Sequence, residues 1–141
     1  MLAFLSEDVQ GTLSHAHYKA KSSVPMVLGY LVNKSGSEEA LAYLVESLDP
    51  DVWVARGLTW NSPYNVSVAG RNQQLSTMAI WGLALSGNSA AAGALRSLQE
   101  PAETEAAVRL RADVSDLVAE ALRVHAMIAT VGLAGYYRKE R

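Results

Sequence analysis

Two stretches of the chain have the pattern of the same helical hairpin. Residues 29–48 and residues 81–98 each contain an apolar helical stretch, a Ser-Gly break, a polar cap and a second apolar stretch. The breaks fall at Ser35-Gly36 and Ser86-Gly87, and glycine is strongly enriched just past the ends of helices. Because one hairpin cannot bury its own apolar side, neighbouring hairpins have to cover each other. This pattern constrains the chain to a fold made by packing helices in pairs.

A third, partial copy of the pattern lies near the C-terminus. Residues 78–84 match residues 128–134, about 50 positions further along the chain, and both segments end in Gly-Leu-Ala. The succession of small and apolar residues, a break and a second short apolar helix resembles the HEAT-like repeats of α-solenoid proteins. Residues 79–98 carry the resemblance most clearly. The repeat length differs, because that family has repeats of about 40 to 47 residues.

The resemblance implies an all-α fold in which five or six helices form a right-handed stack of hairpins, as in a fragment of a HEAT-like α-solenoid. An irregular helical bundle is the alternative architecture. Solenoids present extended surfaces that bind partners. The resemblance therefore implies a non-catalytic protein–protein interaction or scaffold module.

The composition is that of one folded domain covering residues 1–141. Half of the residues are apolar and 18% are charged, so the chain can form a sizeable core. The net charge of −2 differs from the basic character of nucleic-acid-binding domains. The uncharged run between Arg71 and Arg96 is too polar for a membrane span, and neither cysteines nor a signal peptide are present. We therefore expect a cytoplasmic protein that binds neither nucleic acid nor membranes.

The spacing of apolar residues predicts where the helices lie. It predicts a first helix from Leu2 or Glu7 to Lys19. A final helical region over residues 103–137 is expected to break or kink near Asp113, and one long helix from Glu103 to Tyr137 is the alternative. Between these, the predicted helices cover residues 25–35, 37–48, 71–85 and 88–98. Glycine inside a helix costs about 1 kcal/mol relative to alanine, so Gly82 and the nearby Ala79 predict the close approach of a neighbouring helix.

The segment from Val52 to Gly70 has the composition of a long loop with a short helical turn near its start. It mixes turn-forming with aromatic residues, and no acidic residue occurs between Asp51 and Glu100. Aromatic and arginine side chains are common interface anchors, and long loops often carry function. We predict that the loop binds a partner or ligand through Trp53, Arg56, Trp60, Tyr64, Asn65 and Arg71. The alternative is that its tryptophans fill the end of the helical core.

The C-terminal helix is predicted to mediate self-association. No partner helix follows it in the sequence, and solenoids need polar caps at their ends. Two-fold dimers are the commonest closed assembly. We expect a homodimer, or the docking of a larger partner, through Ala126, Ile128, Gly132, Leu133 and Tyr136.

The sequence has no motif for catalysis, for a cofactor or for a metal. His15 and His17 are two positions apart and do not share a helical face, while structural zinc sites take four ligands. There is no nucleophile elbow and no phosphate-binding loop. We expect no cofactor, no metal and no catalytic residue. The alternative function is an enzyme or a small-ligand-binding helical bundle, with a pocket formed near the loop around His15, His17, Arg71 and Tyr64.

Overall fold

The structure is a computed structural model that describes residues 2–139, apart from the side chain of Ala106. It is mostly helical, which confirms the predicted all-α class. In chain order the elements are α1 (Leu2–Leu5), β1 (Gly11–Thr12), α2 (His15–Ser22), α3 (Val24–Ser35), α4 (Glu38–Glu46), α5 (Pro50–Arg56), β2 (Trp60–Asn61), α6 (Val68–Ser86), α7 (Ser89–Ser97) and α8 (Glu105–Lys139).

Helix α6 is the centre of the core, and its closest neighbour is α3. The two helices meet at Gly29 and Gly82, where backbone touches backbone. A Cβ atom on Gly29 would lie 2.6 Å from the Gly82 carbonyl carbon, and one on Gly82 would lie 3.2 Å from the Pro25 carbonyl carbon. Ala79, one turn before Gly82, is fully buried. The predicted close approach of a helix at Gly82 and Ala79 is therefore confirmed.

Each of the two hairpins turns as its sequence predicts. The α3–α4 and α6–α7 turns begin at Gly36 and Gly87, which have the left-handed φ values of 66° and 58°. The Ser37 side chain then accepts a hydrogen bond from the backbone of Ala40, so it caps α4. Asn88 caps α7 in the same way. Local capping chemistry accounts for both turns.

Helix α8 does not break near Asp113, so that prediction is wrong. Asp113 lies inside the helix, and its carboxylate accepts a hydrogen bond from the Gln73 side chain on α6 at 2.8 Å. The non-helical residue is Gly132, with φ 75° and ψ 169°. Beyond it, the Tyr137 hydroxyl forms a hydrogen bond with the Tyr30 hydroxyl on α3. Burial, followed by this hydrogen bond, raises the pKa of Tyr137 to about 12.

The predicted continuous helix at the N-terminus is also wrong. Helix α1 ends at Leu5, and β1 then pairs in parallel with β2, joining Gly11 to Trp60. Helix α2 starts only after Ser14, whose side chain accepts a hydrogen bond from the backbone of His17. Pairing with a distant segment outweighs the local helical periodicity here, because propensity is a weak prior that tertiary contacts override.

The predicted loop over residues 52–70 is shorter than expected. Asp49 caps α5, and Ser67 caps α6 by accepting a hydrogen bond from the Gly70 backbone. The short helical turn expected near Val52 is therefore a helix of two turns. The remaining connection runs from residue 57 to residue 67 and contains β2. We refer to it as the 57–67 loop.

Helix α8 is the one helix in the described part of the chain that could cross a membrane, judged by length and composition. The segment is Ala107–Lys139. The core helix of a soluble protein passes the same test, and α8 packs against α6 and α7.

Replacing Gly29 by alanine should destabilise the protein by about 3 kcal/mol, because the new methyl group meets the Gly82 backbone and the helices have to separate. Gly93→Ala on α7 is the matched control, since nothing lies within 4 Å of its Cβ position. It should be neutral or stabilising by up to about 1 kcal/mol. Urea denaturation followed by circular dichroism measures both. Equal stabilities for the two variants would contradict the close contact.

Candidate functional site

Four aromatic side chains form a continuous column from the core to the surface, which we call the aromatic column. Trp60 is fully buried at its base and makes an edge contact with Tyr18 at 5.9 Å. Tyr18 makes an edge contact with Tyr64 at 5.7 Å, and Tyr64 makes one with His15 at 4.7 Å. Tyr18 is 3% exposed, whereas Tyr64 is 55% exposed. Edge-to-face pairs of this kind stabilise a fixed arrangement of rings.

Arg71, on the first turn of α6, holds the base of the column. Its guanidinium carbon lies 5.3 Å from the Trp60 ring, and Nη1 donates to the backbone oxygens of Trp60 at 2.6 Å and Leu58 at 3.2 Å. Nε and Nη2 both donate to Oδ1 of Asn72, at 3.1 and 2.8 Å. Burial lowers the pKa of Arg71, an effect that Tyr18 partly opposes. This guanidinium fixes the 57–67 loop through neutral oxygens.

The N-terminal segment holds the other side of the same loop. The Trp60 indole donates to the Leu5 backbone oxygen at 2.8 Å, and the Thr59 hydroxyl donates to that of Val9 at 3.1 Å. The segment is itself tied to α2 by Lys21, which is fully buried. The Lys21 ammonium donates to the Phe4 backbone oxygen and lies 3.0 Å from the Glu7 carboxylate. Trp60 is thus held from both sides.

Tyr64 is exposed because the loop turns sharply at its position. The Ser62 hydroxyl accepts a hydrogen bond from the Tyr64 backbone at 3.1 Å. Asn65 then adopts φ 56°, the left-handed conformation that asparagine tolerates better than most residues. The turn therefore directs Tyr64 over the outer end of the column.

An open cleft of about 360 Å³ lies beside the aromatic column, between α2, α3 and α6. We call it the aromatic cleft. Its volume is within the range of about 300 to 1,000 Å³ typical of small-molecule sites. The cleft is lined by Tyr18, Lys19, Ser22, Ser23, Met26, Tyr64, Gln74 and Met78. Two rings and two thioethers thus provide most of its apolar surface.

Hydrogen bonds fix the polar groups of the cleft. The Tyr18 hydroxyl donates to Oε1 of Gln74, which orients the amide and leaves its Nε2 group without a partner among the described residues. The Ser22 and Ser23 hydroxyls both donate to the Lys19 backbone oxygen, at 3.3 and 2.7 Å. Burial raises the pKa of Tyr18, while Ser62 and Arg71 oppose this. The Tyr18 hydroxyl is therefore neutral near pH 7.

The six predicted loop residues fall into two separate groups. Trp60, Tyr64 and Arg71 meet in the aromatic column, and Asn65 shapes the turn beside it. Trp53 and Arg56 lie instead on α5, against α4. Within residues 2–139 no hydrogen bond, ion pair or ring contact described for these side chains joins the two groups.

The Trp53 group is a packing cluster. Trp53 is fully buried and its indole donates to the Ser47 backbone oxygen at 3.0 Å. The Arg56 guanidinium carbon lies 3.9 Å from the Tyr43 ring and 4.4 Å from the Trp53 ring, and Nη1 donates to the Ser47 hydroxyl. Burial lowers the pKa of Arg56 and raises that of Tyr43. Both tryptophans therefore fill the core, as the alternative interpretation of the loop predicts.

The cluster predicted around His15, His17, Arg71 and Tyr64 forms only in part. His15 meets Tyr64 at the surface, whereas His17 stacks on Phe4 and Arg71 is buried beneath Trp60. Within residues 2–139 no group of three or more His, Cys, Asp or Glu side chains could hold a metal ion.

The five residues predicted for self-association do not share one exposed face. Ile128 is 3% exposed, because it packs against the turn at Gly87 between α6 and α7. Leu133 and Tyr136 are partly buried against the core, so the exposed members are Ala126 and Gly132. The uncovered face of α8 is formed by Ala126 together with small residues outside the predicted set, described below.

Sequence reasoning missed most of the cleft. Tyr18, Gln74, Met26 and Met78 come from three different helices, and each resembles an ordinary core or surface residue in its own helix. The alternative function predicted from the sequence came closest to the cleft, because it placed Tyr64 and His15 in one cluster.

Comparison of the chain with protein-family models, with curated proteins and with solved structures gave no match. The geometry of the fold and of the cleft therefore carries the functional argument.

Mutations at the buried base of the aromatic column should destabilise the protein more than mutations at its exposed end. Trp60→Phe removes the donor to the buried Leu5 oxygen and should destabilise the protein by about 1–3 kcal/mol. Tyr64→Ala should cost about 1 kcal/mol or less, since most of its ring faces solvent. Thermal and urea unfolding measure the two effects. A larger loss for Tyr64→Ala would contradict this division.

Proposed function

We propose that this chain is a non-catalytic binding module and that the aromatic cleft is its binding site. The main support for this proposal is the exposure of Tyr64. The residue is 55% exposed although the loop that bears it is held on both sides, by Arg71 and by the N-terminal segment. Aromatic rings held over a cleft are typical of binding sites, where they bury large area at low cost in conformational entropy.

The side chains of the cleft support binding rather than catalysis. General acid–base catalysis needs a group that titrates near the working pH. The lining contains no histidine, cysteine or carboxylate, and burial raises the pKa of the Tyr18 hydroxyl further from neutrality. The lining serine hydroxyls are bonded to the Lys19 backbone oxygen, and no base contacts them among the described residues.

The HEAT-like scaffold remains part of the proposal. The order of contacts supports it. Helix α6 lies between α3 and α8, the short helix α4 follows α3, and the short helix α7 follows α6. In this architecture the stack provides a rigid support and the cleft lies at one side of it.

The binding role is tested with protein carrying ¹³C-labelled methionine methyl groups. Met26 and Met78 line the cleft, while Met127 on α8 is an internal reference. Small apolar and aromatic fragments should shift the Met26 and Met78 signals and leave Met127 unchanged. Tyr64→Ala should weaken this binding at least about fivefold, because about 1 kcal/mol of ring contact is lost.

Tyr137→Ala, another exposed tyrosine, is the matched control and should bind like the parent protein. Fragments that shift no cleft methionine, or that shift Met127 equally, would remove the proposal.

Self-association through α8 is a second candidate function. Residues 124–137 contain no Asp, Glu, Lys or Arg, and Ala126, Ala129, Thr130 and Ala134 are exposed. An uncharged exposed face of this kind is compatible with a two-fold contact between copies of the chain.

If this candidate is correct, light scattering at high concentration gives a mass twice the 15.1 kDa of one chain. Ala129→Arg should then return the mass to that of one chain, because it places a charge in the contact. Ala119→Arg is the control on the charged half of α8 and should leave the dimer intact. A mass of one chain for the parent protein ends this candidate.

A further inference from the structure

We propose that the aromatic cleft selects small carboxylic acids with an apolar body, an inference that rests on the binding role proposed above. The cleft combines an apolar surface, several hydroxyls and two free donors. The free donors are the Lys19 ammonium and the Gln74 amide nitrogen, both left without partners among the described residues.

The apolar part of the ligand is indicated by the walls. Tyr18 and Tyr64 present ring surfaces on one side, and Met26 and Met78 present flexible thioethers from α3 and α6. Methionine side chains adapt to ligands of different shape. These walls suit an acyl chain or an aryl group and do not require one particular shape.

The charge of the ligand is indicated by Lys19. It is the only charged side chain that lines the cleft, and it forms no ion pair among residues 2–139. The nearest carboxylates in sequence are Asp8 and Glu7. Asp8 accepts a hydrogen bond from the Gln10 side chain, and Glu7 is held by the buried ammonium of Lys21. No acidic residue occurs in the long segment between Asp51 and Glu100. An anion is therefore attracted and a cation is not.

The polar contacts match a carboxylate better than a neutral head group. The Tyr18 hydroxyl uses Oε1 of Gln74, so the free part of this amide is the Nε2 donor. An ionised carboxylate only accepts hydrogen bonds, and Lys19 Nζ and Gln74 Nε2 are both donors. An amide or alcohol head group lacks the negative charge that Lys19 attracts.

The test uses three ligands with the same chain: octanoate, octanamide and octylammonium. Each is titrated below its aggregation range while the Met26, Met78 and Met127 methyl signals are followed. Octanoate should bind about threefold to tenfold more tightly than octanamide, as expected for one exposed charge-assisted contact. Octylammonium should bind more weakly than octanamide.

Lys19→Gln should bring octanoate and octanamide within about twofold of each other without changing the affinity for octanamide. Lys34→Gln, an exposed lysine at the end of α3, is the matched control and should keep the full preference. Lys19 is exposed, so the variant is expected to fold.

The possible failures are distinguishable. Equal binding of octanoate and octanamide by the parent protein, or a preference that survives in Lys19→Gln, overturns the selectivity for carboxylic acids and leaves the binding module standing. If neither these ligands nor the fragments shift Met26 and Met78, both proposals fall.

Discussion

The contact between Gly29 and Gly82 is the constraint on which the rest of the structure depends. Side chains normally keep helices 8–10 Å apart, but here the two backbones touch. The same contact sets the distance between Met26 and Met78, which lie about one helical turn before each glycine. The width of the aromatic cleft is therefore determined by a pair of glycines that do not line it.

Two buried cations hold segments of the chain in place, a role that apolar packing has elsewhere in the chain. Arg71 holds the 57–67 loop and Lys21 holds the N-terminal segment, each by donating to backbone oxygens and to one side chain. Burying a charge is expensive unless it is fully hydrogen-bonded. Arg71 donates to two backbone oxygens and to the amide oxygen of Asn72. These hydrogen bonds offset the free-energy cost of burying its charge. Tyr64 is thus exposed on a loop that these contacts hold in place.

Features with a local cause could be predicted from the sequence, and features with a distant cause could not. Ser37 and Asn88 cap helices because each bonds to its immediate neighbours in sequence. Gly82 is the exception: its contact is with a distant helix, but a glycine inside an apolar helix is unfavourable enough to indicate a close approach. The break at Gly11 depends on pairing with Trp60, far along the chain, and helical spacing gave no sign of it. Aromatic and arginine residues interleaved in a loop are typical both of interfaces and of packed cores. Only the structure separates exposed Tyr64 from buried Trp53.

The parallel pairing of β1 with β2 also has a kinetic consequence. It joins residues about 50 positions apart, and such contacts form only after the loss of entropy on closing the intervening chain has been offset by other interactions. The hairpin of α3 and α4 lies within that closed loop and can assemble from near neighbours. The hairpin is therefore expected to form before the 57–67 loop settles against the N-terminal segment, so the side of the cleft that bears Tyr64 is completed late in folding.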